Sequence, residues 1–368
     1  MKKAKADKKL ILVVGILLVF GSIMIFSSSW PYALDIGASA DYFFKRHILF
    51  ATAGFIAMIL VSFIDYHIYQ KYAVQLYILT FAICLLVFTP LGNNLDTFAR
   101  RWIVVGPINF MPSDLMKIAS VILLTSLLSM KRRRDTVLKD ILPVILIIIF
   151  SVLPVYLQPN LSTSITIILS LGAIYFISGM DLRYFFFIIP SFVLMILMFF
   201  LGEKNEYRRR RLYTLLHPLE DYTGDGWQLS QALVAVSTGG LLGVGFGKSR
   251  QKHLYLSEAH NDFVFAIISE ELGFLGAAFV IILFLILIRI GFKIAVNAKD
   301  DFGRLLAAGI TLVIGIQAFI NIGVSFGLLP PTGLVLPFIS YGGTSLMVTL
   351  GMVGILLNIS RNKTIIKE

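Results

Sequence analysis

The sequence predicts an all-α integral membrane protein with ten transmembrane helices and a large extracellular loop, containing short interfacial helices, between helices 7 and 8. Of its 368 residues, 57% are hydrophobic and 14% are charged, whereas a soluble domain carries about 25% charged residues. Apolar runs long enough to cross a bilayer alternate with short polar segments. We therefore expect one polytopic membrane domain over residues 1–368 rather than several soluble domains.

Ten spans account for the apolar runs. They cover about residues 10–30, 47–64, 73–90, 113–130, 140–157, 161–179, 183–201, 263–290, 304–327 and 336–358. The stretch 140–179 is interrupted by Gln158-Pro159-Asn160. As one helix it would be about 60 Å long, twice the hydrocarbon core of roughly 30 Å. We therefore predict two spans joined by a turn at Pro159-Asn160.

The positions of lysine and arginine orient the bundle. Basic residues cluster at the N-terminus, after the fourth and eighth spans and at the C-terminus. These positions share one side if the spans alternate, and such clusters mark the cytoplasmic side. Both termini are then cytoplasmic, and the loop 202–262 is outside. Arg208-Arg209-Arg210-Arg211 lies in that loop, but long loops translocate largely regardless of charge.

The composition also excludes several classes of function. The net charge of +11 does not indicate nucleic-acid binding, because most basic residues flank spans, where anionic membrane lipids are the expected partners. Cys84 is the single cysteine and lies in an apolar run. A disulfide framework or a cysteine metal site is therefore excluded.

Charged side chains meet near the start of the fourth span. Arg101 and Trp102 precede it, Ser113 is predicted as its N-cap, and Asp114 and Lys117 follow. Lys117 falls one turn inside the span, where an ionisable residue is costly and indicates a function. Two simpler interpretations stay open: Lys117 could pair with Asp114 or extend to headgroups, and Trp102 could belong to an interfacial aromatic belt.

The long loop contains an amphipathic segment and a glycine-rich segment. Residues 227–236 can form a helix with one apolar side, which we expect to lie in the outer interface. Five glycines follow between residues 239 and 247. No strand precedes them and no Walker pattern is present, so they indicate flexible backbone over a substrate rather than a nucleotide site. Lys248 and Lys252 add positive charge after the glycines.

Acidic residues mark the end of the loop and the eighth span. The loop ends in Glu258-Ala259-His260-Asn261-Asp262. A carboxylate at this point could merely favour the helix dipole or cap the helix. Glu270 and Glu271 lie deeper and must face the bundle interior or a polar cavity. One carboxylate among many cations suits an anionic substrate that must lose a proton.

Proline and glycine interrupt the connection between the last two spans. It contains Leu329-Pro330-Pro331-Thr332-Gly333 and then Ser340-Tyr341-Gly342-Gly343. Irregular backbone at this depth is tolerated where it is buried in protein or lines a cavity. This connection therefore marks a cavity wall near the outer face.

Taken in order, these segments resemble the SEDS family (shape, elongation, division and sporulation), whose members are ten-span peptidoglycan glycosyltransferases. The resemblance covers nearly the whole chain and rests on residues 101–103, 112–117, 158–159, 239–243, 249–252, 258–273 and 336–343. Ser249-Arg250-Gln251-Lys252 looks more like the FtsW and SpoVE branch than the RodA branch. Two residues depart from the family pattern: Asn160 stands where aspartate is usual, and Asn261 stands where threonine is usual.

The resemblance implies polymerisation of lipid II on the outer face of the bacterial cytoplasmic membrane, in division, elongation or sporulation. It makes Asp262 the catalytic carboxylate that accepts the proton of the acceptor hydroxyl. The candidate substrate contacts are Arg101, Trp102, Lys117, Arg208, Arg210, Lys248, Lys252, Glu258 and His260. The candidate supporting residues are Ser113, Asp114, Gln158, Pro159, Asn160, Glu270, Glu271, Ser340, Tyr341, Gly342 and Gly343.

The resemblance also implies partners. These are lipid II, the nascent glycan strand and a class B penicillin-binding protein, which is a transpeptidase. No cofactor is required by the sequence. A divalent cation such as Mg²⁺ would suit the pyrophosphate of the substrate, but no dedicated cage of carboxylates is evident.

Two alternatives to the enzyme stay open. A lipid II flippase would also use charged groups near an outer cavity, but it should carry ionisable residues and broken helices near the midplane. Here most polar groups crowd the outer face, and Glu270, Glu271, Gln317 and Asn321 lie deeper. The second alternative is a non-catalytic scaffold that activates the transpeptidase.

Overall fold

The computed structural model describes residues 6–93, 100–105, 108–130, 137–179, 226–257 and 259–362. Three groups of predictions lie outside these residues: the span 183–201, the arginines 208–211 and Glu258. The first part of the long loop, residues 202–225, lies outside them as well.

Helices dominate the described part of the chain. They are α1 (Lys8–Asp35), α2 (Tyr42–Val61), α3 (His67–Lys71), α4 (Ala73–Leu86), α5 (Pro112–Ser129), α6 (Val137–Leu157), α7 (Leu161–Ile177), α8 (Trp227–Gly239), α9 (Val264–Val296), α10 (Asp301–Ser325) and α11 (Gly343–Arg361). Six of them, α1, α2, α5, α9, α10 and α11, are long and apolar enough to cross a membrane, and α4, α6 and α7 are shorter apolar helices. Each predicted span other than 183–201 overlaps one of these nine helices.

The predicted start of the last span is wrong. α11 begins at Gly343 rather than at residue 336, and residues 331–342 have irregular backbone. Pro337 cannot continue a hydrogen-bonded helix, and Leu336 is held in a turn in which its N–H donates to Ser340 Oγ at 2.8 Å. Leu336 and Ser340 are nonetheless buried, which agrees with irregular backbone enclosed by the bundle.

A small antiparallel sheet joins α4 to α5, which an all-helical prediction did not include. Its strands are β1 (Gly92–Asn93), β2 (Trp102–Val105) and β3 (Ile108–Phe110), in the order β1-β2-β3. Aromatic and β-branched residues in β2 favour the strand conformation. The sheet ends just before α5, and Arg101 lies immediately before β2.

α9 is kinked, and the kink joins it to the glycine-rich segment. Gly273 has φ +66° inside the helix, so neighbouring backbone groups lose their helical partners. Residues 240–245 supply new ones through four main-chain bonds. These are Val244 N to Glu270 O (2.9 Å), Gly245 N to Glu271 O (3.0 Å), Phe274 N to Gly240 O (2.9 Å) and Leu275 N to Leu241 O (3.3 Å).

The structure bears differently on two predictions about this region. Two of the five glycines are points of close packing, because a Cβ at Gly239 would overlap Ser269 O and one at Gly243 would overlap Glu271 O. A Cβ at Gly240 or Gly247 would meet nothing within 4 Å, and the flexibility of the segment stays a prediction. The apolar side of α8 does not lie free in the interface. It packs on α9 and α10, and its residues Leu229, Ala232 and Ala235 are fully buried.

Candidate active site

The long loop enters α9 through Asp262, the predicted catalytic residue. α9 begins at Val264, and Asp262 is partly exposed just before it. The side-chain amide of Asn321 in α10 donates to the main-chain oxygen of Asp262 at 2.7 Å and to that of Leu334 at 2.6 Å. Because Asn321 is buried, it fixes the backbone of Asp262 relative to the segment that contains Leu334.

That segment, residues 331–336, is an extended strap between α10 and α11. Three of its carbonyl groups accept hydrogen bonds from buried side chains: Thr332 from Ser162, Leu334 from Asn321, and Val335 from Gln317. Sequence reasoning did not include Ser162, Gln317 or Asn321 among the site residues. The available signal was polar side chains inside spans, with Gln317 and Asn321 one turn apart on α10.

Gly333 is the point of the strap at which two predicted site residues meet. A Cβ built on Gly333 would lie 3.5 Å from Asp262 Oδ2 and 3.9 Å from Arg101 Nη1. Arg101 also donates from Nε to Gln158 O at 3.3 Å and from Nη2 to Pro159 O. The structure thus brings a carboxylate, a guanidinium and the Gln158-Pro159 turn to one place beside the strap.

Lys117 pairs with Asp114, which is one of the two simpler interpretations of its position inside the span. It is buried in α5, its Nζ lies 2.8 Å from Asp114 Oδ1, and it donates to Gln317 Oε1 at 2.7 Å. Lys117 and Asp114 are close enough to form an ion pair, but their geometry is not that of a hydrogen bond. Asp114 Oδ2 has no hydrogen-bond partner among the described residues. Lys117 therefore connects α5 through Gln317 to the strap.

The predicted turn at Pro159-Asn160 is present and caps α7. Asn160 is the N-cap residue, and its side chain accepts from Thr163 N at 3.3 Å while its amide donates to Ser113 Oγ at 3.2 Å. Ser113 is not the N-cap of α5, contrary to the prediction. Met111 holds that position and Pro112 opens the helix, because proline at the first helical position needs no hydrogen-bond partner.

Gln158 stabilises the same turn from the other side. Its side-chain amide donates to Cys84 O in α4 at 2.9 Å, and Gln158 is fully buried. The turn therefore supports the site through neutral hydrogen bonds to α4 and α5, and its carbonyl groups accept charge-assisted hydrogen bonds from Arg101.

Glu270 and Glu271 face the interior, as predicted, and anchor the loop. Both are buried. Glu270 accepts from the main chain of Arg250 at 2.8 Å and from the hydroxyl of Ser249. Burial of two carboxylates is tolerated here because each receives several hydrogen bonds.

Lys252 is part of this anchor rather than a surface cation. Its Nζ lies 2.7 Å from Glu271 Oε1 and 3.2 Å from Ser27 Oγ, and neither ionic side chain has exposed area. Ser27 also donates to Glu271 at 2.6 Å. The prediction placed Lys252 against the substrate, but its charge is already compensated by a buried partner, and we reassign it to positioning of the loop.

His260 lies in an aromatic cluster. Its ring centroid is 4.5 Å from that of Phe43, 5.3 Å from that of Tyr32 and 5.8 Å from that of Tyr341. Burial lowers the pKa of His260 from 6.5 to about 4, so its ring is neutral at pH 7. If His260 contacts the substrate as predicted, it therefore does so as a neutral, buried ring.

The predicted supporting residues 340–343 hold the strap against this cluster. Tyr341 N donates to His260 O at 3.0 Å, and Ser340 receives the Leu336 N–H described above. Gly342 precedes the first residue of α11. Gly343 allows close packing, because a Cβ there would lie 2.6 Å from the Phe50 ring.

The remaining predicted contacts stay predictions. Trp102 is half-buried in β2, opposite Asn93, and Lys248 is exposed. Arg208, Arg210 and Glu258 lie outside the described residues. Within the described ranges, no group of three or more His, Cys, Asp or Glu side chains is placed to hold a metal ion.

Comparison with known proteins agrees with this fold. The profile of the FtsW/RodA/SpoVE family, described as a cell cycle protein, matches residues 8–365. The chain belongs to this family. It is 38% identical over 366 residues to Stage V sporulation protein E of Bacillus subtilis, with 98% of each chain covered. It is also 38% identical over 357 residues to a probable peptidoglycan glycosyltransferase FtsW of Geobacter sulfurreducens, covering 96% and 95% of the two chains.

Solved structures show the same FtsW/RodA/SpoVE fold. A chain of a peptidoglycan synthase complex that coordinates polymerization and crosslinking has a TM-score of 0.80 at 25% identity, covering 97% of this chain and 98% of that chain. RodA of Thermus thermophilus has a TM-score of 0.73 at 24% identity, covering 97% of each chain. The family and the apolar helices make this chain a multi-pass membrane protein.

Proposed function

We propose that this FtsW/RodA/SpoVE protein is a peptidoglycan glycosyltransferase that polymerises lipid II, with Asp262 as its general base. The observation that carries this proposal is the convergence of the Asp262 carboxylate and the Arg101 guanidinium on Gly333. The curated FtsW relatives carry the same activity in their names, and they match nearly the whole chain.

The reaction needs a base and a counter-charge. Asp262 accepts the proton of the acceptor sugar hydroxyl as its oxygen attacks the anomeric carbon of the donor. The new glycosidic C–O bond forms while the bond to the undecaprenyl pyrophosphate breaks, and the pyrophosphate leaves with the bonding electrons. A positioned base contributes about 10²–10⁴-fold to such a step, and a cation beside the leaving oxygen stabilises the charge that develops there.

Arg101 is the best supported partner for the pyrophosphate. It is partly exposed beside Asp262, and its guanidinium suits bidentate contact with phosphate oxygens. Lys117 is less suited because Asp114 already compensates its charge. Arg208, Arg210 and Lys248 are further candidates, and a divalent cation brought by the pyrophosphate would have the same role.

The location and partner of the enzyme follow from the same reasoning. We place Asp262 on the outer face of the cytoplasmic membrane, because the distribution of basic residues puts both termini inside. The relative in the peptidoglycan synthase complex supports a partner that crosslinks strands, and we assign this role to a class B penicillin-binding protein.

The alternatives have less support in the structure. A flippase needs ionisable groups that serve a path across the membrane, but the two buried ion pairs described here are held in fixed contacts. Lys117 pairs with Asp114, and Glu271 pairs with Lys252. A scaffold without activity would not need a partly exposed carboxylate and guanidinium side by side.

Replacement of Asp262 tests the proposal. Purified Asp262→Asn protein, given labelled lipid II and the transpeptidase partner, should form glycan strands at least about 100-fold more slowly than the wild type. Asp301→Asn is the matched control, because Asp301 is an exposed aspartate at the start of α10, and it should polymerise normally. If Asp262→Asn polymerises lipid II at the wild-type rate, Asp262 is not the general base. If it makes no polymer but still binds the partner, the protein is not a non-catalytic scaffold.

A further inference from the structure

Gly333 is the exposed point of the strap, and the carbonyl groups on both sides of it are occupied. The carbonyls of Thr332, Leu334 and Val335 each accept a side-chain hydrogen bond. Gly333 is exposed between them, and no described residue hydrogen-bonds its N–H or its carbonyl. Gly333 thus presents an N–H and a carbonyl next to Asp262, neither of them bonded to a described residue.

The space beside Gly333 is suited to a ligand rather than to a side chain. A Cβ there would be 3.5 Å from Asp262 Oδ2 and 3.9 Å from Arg101 Nη1, which are ordinary van der Waals distances. A methyl group would therefore not displace the carboxylate, but it would occupy the volume directly in front of it. A molecule that gives its proton to Oδ2 from the side of the strap would have to enter this volume.

We propose that the main-chain N–H and carbonyl of Gly333 bind the acceptor saccharide beside the hydroxyl that Asp262 deprotonates, and that this contact requires the absence of a side chain at position 333. A peptide N–H and carbonyl together match saccharide hydroxyl and amide groups, which both donate and accept hydrogen bonds. The inference rests on the proposed function, because it names a substrate contact of the same site.

Backbone strain is the competing explanation for glycine at this position. Gly333 has φ +72°, a conformation that glycine adopts freely and most other residues do not. The two explanations give opposite rankings of substitutions. Asparagine tolerates this conformation better than alanine does, so strain predicts that Gly333→Asn is more active than Gly333→Ala. A steric clash with the saccharide predicts the reverse, because the asparagine side chain is larger.

Gly37 offers a matched control. Its φ is +73°, and a Cβ there would meet nothing within 4 Å. It is exposed in the connection between α1 and α2, away from the hydrogen bonds of the strap. Alanine at position 37 therefore carries the same strain of a positive φ as alanine at position 333 without entering the site.

The experiment measures lipid II polymerisation by the full-length Gly333→Ala, Gly333→Asn and Gly37→Ala proteins with their partner, together with the thermal unfolding of each. We expect kcat/KM to fall at least tenfold in Gly333→Ala and further in Gly333→Asn, mainly through a raised KM for lipid II. Gly37→Ala should stay within twofold of the wild type, and the acid limb of the pH–rate profile of Gly333→Ala should be unchanged.

Three results would overturn the inference. They are activity of both Gly333 variants within twofold of the wild type, higher activity of Gly333→Asn than of Gly333→Ala, or an equal loss in Gly37→Ala. These outcomes differ from failure of the proposed function itself. The Asp262→Asn variant tests that function separately, because it leaves the strap unchanged.

Discussion

Asn321 donates both hydrogens of its side-chain amide to main-chain carbonyls, one to Asp262 at 2.7 Å and the other to Leu334 at 2.6 Å. A single buried residue of α10 thus fixes the distance between the entrance to α9 and the strap. Because Asp262 and Gly333 lie on these two segments, the spacing of the site depends on Asn321.

Asn321→Asp should disrupt this spacing with almost no change of size. A carboxylate oxygen would replace the amide nitrogen and face two carbonyl oxygens that it cannot bond. We expect at least a tenfold loss of polymerisation and a loss of about 1–3 kcal/mol in the free energy of unfolding. Asn297→Asp is the control, because the Asn297 amide donates to Lys293 O at the other end of α9. Full activity in Asn321→Asp would contradict this role.

The pair of Lys117 and Asp114 should show a non-additive response. Lys117→Met leaves the buried Asp114 carboxylate without its cation, which costs about 3–5 kcal/mol, whereas replacement of both partners by apolar residues is often neutral. We expect thermal stability to fall in Lys117→Met and to recover in the double variant with Asp114→Leu.

Polymerisation by the same double variant separates two roles of Lys117. If Lys117 positions the bundle, as its contacts with Asp114 and Gln317 indicate, activity should recover at least partly along with stability. A stable double variant without any activity would instead show that Lys117 contacts the substrate.

Asn160 should tolerate the residue that is usual in the family. Aspartate caps helices about as well as asparagine, so Asn160→Asp should keep its bond from Thr163 N and polymerise within about threefold of the wild type. Asn160→Ala loses the cap and the bond to Ser113, and it should lower the free energy of unfolding by about 1–2 kcal/mol. Equal unfolding temperatures for the alanine variant and the wild type would argue against the cap.

The stability of the protein should depend on pH through His260. Its pKa is about 4 in the folded protein against 6.5 as the ordinary value. The unfolded chain therefore takes up a proton first as pH falls, so this contribution is complete above pH 6.5 and is lost between pH 6.5 and 4. It amounts to at most about 3 kcal/mol. The unfolding temperature of His260→Phe should fall less than that of the wild type across this range, and parallel curves would contradict the prediction.

Hydrophobic runs predicted nearly all of the described helices, because the length needed to cross a membrane is a local property of the chain. The start of α11 was missed since residues 336–340 are as apolar as a helix, and Pro337 alone does not reveal where helix resumes. The strand β2 was missed because a short apolar segment beside a span has no distinctive periodicity.

Some site residues were predicted correctly and others were not. The sequence does not show which charged side chains pair with each other when they are far apart along the chain. Arg101 and Lys252 are both cations in outer loops, and the sequence does not distinguish them. The structure exposes Arg101 beside Asp262 and buries Lys252 against Glu271, which lies on the next helix along the chain. The close packing at Gly239 and Gly243 was missed for a similar reason, since glycine serves close packing as well as flexibility.

The dependence of the site on Asn321 and the strap has a consequence for biogenesis. Chains are synthesised from the N-terminus, so Asp262 emerges from the ribosome well before α10 and the strap that hold it in place. During that interval Asp262 lacks the hydrogen bond from Asn321 and the neighbouring strap. If Asp262 is the base, we therefore expect catalytic competence to arise late in membrane insertion, after Asn321 and Gly333 have been synthesised, and a chain arrested before them should be inactive although it contains Asp262.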